Sequence, residues 1–227
     1  MEITTLKKNK GKNHPEQLLE QDLRKNSFYL ISKRFIDIIG AALGVILLAP
    51  LFLVIALLIK LEDRKGPIFF KQLRVGENEK VFYIYKFRSM ISNAEEIKAS
   101  LLHKNEADGP VFKIKEDPRI TKTGKFIRKT SIDELPQLIN VLKGEMSLVG
   151  PRPPLPIEVE KYNVYEKQRL KVTPGLTCYW QVSGRSNISF EKWVELDLKY
   201  IKERSLLIDL KLIFKTIFVL FGSKDAY

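Results

Sequence analysis

The residues best suited to chemistry lie in TSIDELPQL, Thr130 to Leu138, where two carboxylates, Asp133 and Glu134, stand side by side at the expected start of a helix. Unpaired backbone N–H groups and the helix dipole favour negative charge there, whether carboxylate or phosphate. Ser131 followed by Glu134 also fits a capping box, an ordinary structural use of the same residues. Around the pair the sequence is rich in bases: Arg119, Lys122, Lys125, Arg128 and Lys129 precede it, and Arg152 in GPRP and Arg185 in SGRSN follow. Two acids among this many bases suit a divalent cation with a diphosphate, because Mg²⁺ takes one or two carboxylates plus phosphate oxygens and arginine grips phosphate with a planar fork. A carboxylate can also attack phosphorus itself and form an acyl phosphate.

Something must hold this group of charges in place, and the most distinctive element is the uncharged run Ile38 to Ile59, with Pro50 near its centre. Its 22 residues make a helix of about 33 Å, enough to cross a bilayer's hydrocarbon core. Bases crowd both of its flanks: Lys7, Lys8, Lys10, Lys12, Arg24, Lys25, Lys33 and Arg34 before it, and Lys60, Arg64, Lys65, Lys71 and Arg74 after it. A single span would carry one of these groups across the membrane against the positive-inside bias, whereas a re-entrant helix broken at Pro50 keeps both on the cytoplasmic side. A kinked spanning helix is the alternative, since proline is tolerated in such helices. Some 37 mostly polar residues precede the run and no small-residue cleavage site follows it, so it is not expected to be a removable signal.

The fold class expected is α+β, mostly helical. Residues 1–27 form a basic, loosely ordered arm, residues 28–61 the membrane helix, and residues 62–227 a catalytic domain. Within that domain Pro67–Lys71 and Lys80–Phe87 are expected as strands of a small hairpin turning at Gly76–Glu79. Ile91–His103 reads as a helix, Val111–Lys115 as a strand, and Pro136–Leu142 as a helix stopped by Gly144. A proline-rich loop through Pro151, Pro153, Pro154 and Pro156 follows, then a helix over Ile157–Lys171, a loop over Thr173–Asn187, and a helix over Phe190–Glu203. The last helix, Leu206–Phe221, is too short and too charged to span; it packs in the core or lies at the membrane interface, with phenylalanines at 214, 218 and 221 favouring the interface. The net charge of +12 suits a membrane surface or phosphorylated substrates, and the apolar run favours these over nucleic acid. One cysteine, Cys178, and two distant histidines, His14 and His103, make cysteine and histidine metal chemistry improbable. Cys178, Trp180 and Trp193 read as packing residues, and Asp197 and Asp209 as members of structural ion pairs.

Four blocks resemble the bacterial sugar transferase family, the monotopic polyprenyl-phosphate phosphoglycosyl transferases, in its minimal catalytic form: KFRSM (86–90), DPRITKTGKFIRKTSIDELPQLINVLKGEMSLVGPRP (117–153), PGLTCYWQVSGR (174–185) and LDLKYIKERSLLIDLKLI (196–213). The resemblance implies a bacterial inner-membrane enzyme with its catalytic domain on the cytoplasmic face. Such an enzyme transfers a sugar 1-phosphate from a UDP-sugar to undecaprenyl phosphate and releases UMP, opening exopolysaccharide, capsule or other glycoconjugate synthesis. It further implies Asp133 as nucleophile, Glu134 as its partner, and both as ligands of Mg²⁺. Lys86, Arg88, Arg128, Arg152 and Arg185 would line the phosphate and nucleotide site, Pro50 would break the re-entrant helix, and downstream glycosyl transferases would be conceivable partners. Two departures stand out: Ala49 precedes Pro50 where the family often has serine, and Cys178-Tyr179-Trp180 replaces glycine-tryptophan-alanine. Two other functions fit parts of the pattern, a glycosyl transferase that releases UDP and a non-catalytic membrane-surface scaffold, although a scaffold has no use for the Asp133–Glu134 pair.

Overall fold

The computed structural model describes residues 18, 20–106, 114, 116–183 and 188–222. The expected strand over 111–115, Arg185, His14 and most of the 1–27 arm lie outside the described residues. The chain is mostly helical, with one small hairpin and one long apolar helix near its N-terminus.

After a short turn of helix, α1 (Glu20–Leu23), comes α2 (Ser27–Glu62), 36 residues and about 54 Å long. Asn26 caps its start by accepting a hydrogen bond from the Phe28 N–H. Pro50 lies inside α2, where it removes one backbone hydrogen bond from the helix. Among the described residues α2 is long and apolar enough to cross a membrane.

A single stripe along α2, stepping by three or four residues, packs against the rest of the chain. Tyr29 donates to Asp209 at 2.9 Å, and Lys33 reaches both Asp209 and the Val149 carbonyl. Arg34 bonds the Val141 and Leu142 carbonyls, which belong to the last turn of a later helix. Asp37 accepts from the Ser147 hydroxyl and the Leu148 N–H. Ala41 and Leu48 enter a cluster with Leu138, Val141 and Met146. Past Pro50, Phe52 meets Phe87 edge-on at 5.3 Å, Ile55 and Ile59 pack with Phe87 and Ile127, and Glu62 accepts from the Lys122 and Thr123 N–H groups. The opposite face leaves Ile31, Phe35, Ile46, Leu47, Leu53 and Leu57 largely uncovered.

The hairpin is β1 (Phe69–Val75) and β2 (Val81–Phe87), antiparallel, with Gln72 opposite Ile84 and Phe70 opposite Lys86. Its turn carries Asn78 and Glu79 at positive φ. The predicted Ile91–His103 helix divides into α3 (Ala94–Lys98) and a 3₁₀ stretch, Ala99–Lys104. After α4 (Lys122–Lys129), capped by Thr121, a 3₁₀ segment, Ile132–Gln137, leads into α5 (Leu138–Lys143). Gly144, at φ 83°, stops α5 as expected, in a conformation that costs other residues roughly 1–2 kcal/mol.

Asn140 on α5 is fully buried and stands in for a third strand. Its Oδ1 accepts from the Tyr85 N–H and its Nδ2 donates to the Tyr83 carbonyl, so two backbone groups of β2 find partners on a helix.

β3 (Ser147–Val149) then pairs in parallel with β4 (Gly175–Thr177). This pair replaces part of the expected 173–187 loop. The strands approach so closely that a Cβ on Gly175 would lie 2.1 Å from the Gly150 nitrogen, so only glycine fits. The expected Ile157–Lys171 helix is corrected to α6 (Pro156–Val159), α7 (Val164–Lys167) and a 3₁₀ turn. Asn163 restarts the helix through a capping box with Glu166.

α8 (Phe190–Glu203) matches its expected span, and α9 (Leu206–Gly222) ends one residue later than expected. The two helices pack around Val149, Cys178, Leu198, Ile201 and Leu212. On α9, Leu207, Phe214 and Phe218 remain exposed. Asp209 pairs with Lys33 at 3.1 Å, and Asp197 pairs with the buried Arg169, the structural roles expected of both.

Candidate active site

The Asp133–Glu134 pair is positioned from two directions. Glu62 at the end of α2 receives the N-terminus of α4, and α4 delivers the chain to Ser131. Ser131 adopts the left-handed conformation, φ 56°, and turns the chain sharply into the 3₁₀ segment. Its side chain makes no cap, so the capping-box reading is overturned. The Glu134 carboxylate crosses instead to β2 and meets Lys86 Nζ at 2.6 Å. A non-glycine residue with positive φ two residues before a pair of acids is the kind of strain that gathers at functional sites.

The hairpin register places Arg74, Ile84 and Lys86 on one face, and all three line an open cleft of about 350 Å³. Glu134, Gln137, Arg152, Gly175, Trp180 and Gln181 complete most of its wall. Arg152 reaches the cleft because the proline loop lies along the edge of β1: the Val75 N–H donates to the Pro154 carbonyl, and Arg74 Nη1 donates to Pro153. Arg169 Nη2 supports the loop from behind through the Arg152 carbonyl. The Trp180 and Trp193 rings pack at 4.5 Å, tilted by 39°, with the Arg152 guanidinium 6.0 Å from the Trp180 ring, so Trp193 packs behind while Trp180 faces the cleft.

The environment drives the two carboxyls apart. Burial opposes the charge on Glu134, but Lys86, Arg152 and Arg74 outweigh it and hold its pKa down to about 2. Asp133 is pushed up to about 6: burial is the largest cause, Lys86 and Arg128 oppose it, and the Glu134 charge reinforces it. At neutral pH Glu134 is a fixed anion. Asp133 is a carboxylate more basic than usual, which makes it the better nucleophile of the two.

The residues implied by resemblance divide as follows. Lys86, Glu134 and Arg152 line the cleft, and Asp133 lies beside it, within electrostatic reach of Lys86 and Arg128. Arg88 does not line it; its guanidinium donates to the Asp63 carboxylate at 3.0 Å and to the Asp63 carbonyl, clasping the end of α2. Arg185 lies outside the described residues. The sequence reading passed over Arg74 and Gln137. Arg74 entered it only as one of the bases after the apolar run, although strand alternation across the hairpin puts it on the same face as Lys86. Gln137 stands three residues after Glu134 on a tight 3₁₀ turn, a spacing that returns its side chain to the same side.

The donor set also bears on a metal. The acids at the cleft are hard oxygen ligands and Glu134 is ionised, while among the described residues no group of three or more His, Cys, Asp or Glu comes together. The chain therefore offers the one or two carboxylates that magnesium uses when phosphates supply its other ligands. Burial pushes the Cys178 thiol well up, in keeping with a packed and unreactive side chain.

Comparison with known sequences points in one direction. The profile described as bacterial sugar transferase matches residues 28–223. The galactosyl transferase CpsE of Streptococcus agalactiae is 53% identical over 192 residues, covering 83% of this chain and 42% of that protein. The exopolysaccharide production protein ExoY of Sinorhizobium fredii is 41% identical over 201 residues, covering 87% of this chain and 88% of that one. The undecaprenyl-phosphate galactose phosphotransferase of Salmonella typhimurium is 42% identical over 217 residues, covering 92% and 44%. The chain thus spans less than half of two of these relatives and most of the third.

Proposed function

Because the chain belongs to the bacterial sugar transferase family, we propose that it transfers a sugar 1-phosphate from a UDP-sugar to undecaprenyl phosphate, as an early membrane step of polysaccharide synthesis. The observation that carries this reading is the divided carboxyl pair, one acid held ionised by Lys86 and the other kept basic, against a wall of arginines. A glycosyl transferase that moves the sugar alone needs no nucleophile facing phosphate.

In the proposed sequence an oxygen of Asp133 attacks the sugar-bearing phosphorus. The P–O bond to the uridine-bearing phosphate breaks, UMP leaves with that bridging oxygen, and the phosphosugar remains as an acyl phosphate on Asp133. A phosphate oxygen of the lipid then attacks the same phosphorus, the bond to Asp133 breaks, and the carboxylate is restored. Lys86 and Arg152 face the charge that builds on the phosphate oxygens, and Arg128 supports the Asp133 carboxylate. Asp133 and Glu134 fit as protein ligands of Mg²⁺, which when bound would neutralise diphosphate charge and orient the leaving group.

The proposed seat is the cytoplasmic leaflet of the bacterial inner membrane. The division at 28–61 and 62–227, with the 1–27 arm ahead of it, belongs to the same reading. A helix with both ends fastened to one domain and its far face apolar suits a re-entrant insertion, and the exposed Leu207, Phe214 and Phe218 of α9 suit the interface.

The test is product identity. With purified protein, a UDP-sugar panel and undecaprenyl phosphate, release of UMP is expected, with a labelled phosphosugar trapped on the protein when the lipid is withheld. The name of the CpsE relative, a galactosyl transferase, makes UDP the competing product. Release of UDP, or full turnover by Asp133→Asn, would overturn the proposal.

A further inference from the structure

Arg88 is occupied by Asp63, which leaves the cleft with a different third cation. Arg74 is 5% exposed, yet it lines the cleft and belongs to no ion pair among the described residues. Its Nη1 donates to the Pro153 carbonyl and its Nη2 to Gln72 Oε1 at 2.6 Å, both neutral acceptors, while its Nε has no partner. A nearly buried guanidinium on which two acids, Glu158 and Glu134, act without an ion-pair contact is costly to hold. Burial and the neighbouring Arg152 charge pull its pKa down to about 9, against the opposing charges of Glu158 and Glu134. The one acid among the residues lining the cleft, Glu134, is already paired with Lys86.

We propose that Arg74 is a binding residue for the diphosphate of the nucleotide-sugar donor, completing with Lys86 and Arg152 a cationic wall in which the family resemblance had implied Arg88 and not Arg74. The inference rests on the donor reading above. The Pro153 carbonyl and Gln72 fix the two Nη atoms, and the guanidinium, without an ion-pair partner among the described residues, lines space open to an anion. The donor's diphosphate supplies that anion. The lipid acceptor carries a single phosphate and is not expected to need this contact.

Arg74→Lys keeps the charge and loses the fork. Gln72→Glu keeps Arg74 intact and places an isosteric carboxylate against it, neutralising the cation from within; it serves if Arg74→Lys does not fold. Initial rates with a UDP-sugar and undecaprenyl phosphate, varied separately, are expected to show donor KM raised about tenfold to a hundredfold by Arg74→Lys, with acceptor KM unchanged. Donor KM should also rise in Gln72→Glu. The melting-temperature increase produced by UDP, measured in the same detergent-solubilised proteins, should shrink in both. A purely structural arginine would lower the melting temperature and leave donor KM and the UDP-induced increase as in the parent. That result in either folded variant overturns the inference. A parent protein that binds UDP but turns over no UDP-sugar points instead to failure of the functional reading, and the UDP measurement still decides the role of Arg74.

Discussion

At the residue scale, Asp133 and Glu134 are chemically alike and separated by one peptide bond, but their surroundings give them opposite tasks. Because Asp133 must be ionised to attack, activity should fall as pH drops through about 6. The neighbours set the position of that limb with predictable sign. Lys86 holds the Asp133 pKa down, so in Lys86→Met the limb should move to higher pH. Glu134 raises it, so in Glu134→Gln the limb should move lower. Rate profiles of the residual activity, or carboxyl ¹³C titration where activity is too low, would check both shifts. Movement of both limbs in the same direction would contradict the electrostatic account. The acids themselves were legible in the sequence, and so was the surplus of bases. Which base touches which acid was not, because that depends on a 3₁₀ turn entered through a left-handed serine, for which the sequence carries no dedicated signal. Arg88 and Arg74 illustrate the point: both precede or follow apolar strand residues, and only the register and the nearness of Asp63 separate anchor from wall.

At the scale of elements, Asn140 couples the hairpin to α5 and so to the 3₁₀ segment carrying the acids. Replacing it with leucine would strand the Tyr85 N–H and the Tyr83 carbonyl. A loss of about 3 kcal/mol is expected, read from denaturant unfolding in micelles. No single substitution on β2 should recover the loss, since the Tyr85 and Tyr83 groups are backbone and the third partner lost, Glu145 Oε2, lies outside β2. Elements with strong local signals were readable from the sequence: the hairpin by alternation, α8 by its helical spacing, and the end of α5 by Gly144. The β3–β4 pair was missed because three-residue strands among prolines and glycines leave no periodicity to count. The divided 157–171 segment was misread although its signal was present, Asn163 three residues before Glu166.

At the scale of the whole molecule, α2 is the longest apolar element and is anchored along its whole length. Tyr29, Lys33, Arg34 and Asp37 secure its first half with polar bonds, and Phe52, Ile55, Ile59 and Glu62 secure its second half mainly by packing. The sequence announced the apolar run and its flanking bases. It did not announce that Lys33 and Arg34 reach into the domain and not toward lipid phosphate, because a basic residue reads the same whichever partner it finds.

The double anchoring of α2 has a consequence for how the protein meets lipid. A helix that passes through both leaflets must match its apolar length to the bilayer by tilting, stretching or thinning its surroundings, at a cost of fractions of a kcal/mol per Å. With both ends of α2 held by one domain, its depth is set by protein contacts, and in the proposed seat the opposite leaflet never touches it. Hydrophobic mismatch then has almost no lever on the fold. Reconstitution into vesicles of increasing acyl-chain length should leave turnover nearly flat, whereas a sharp optimum at one thickness would mark a helix that spans.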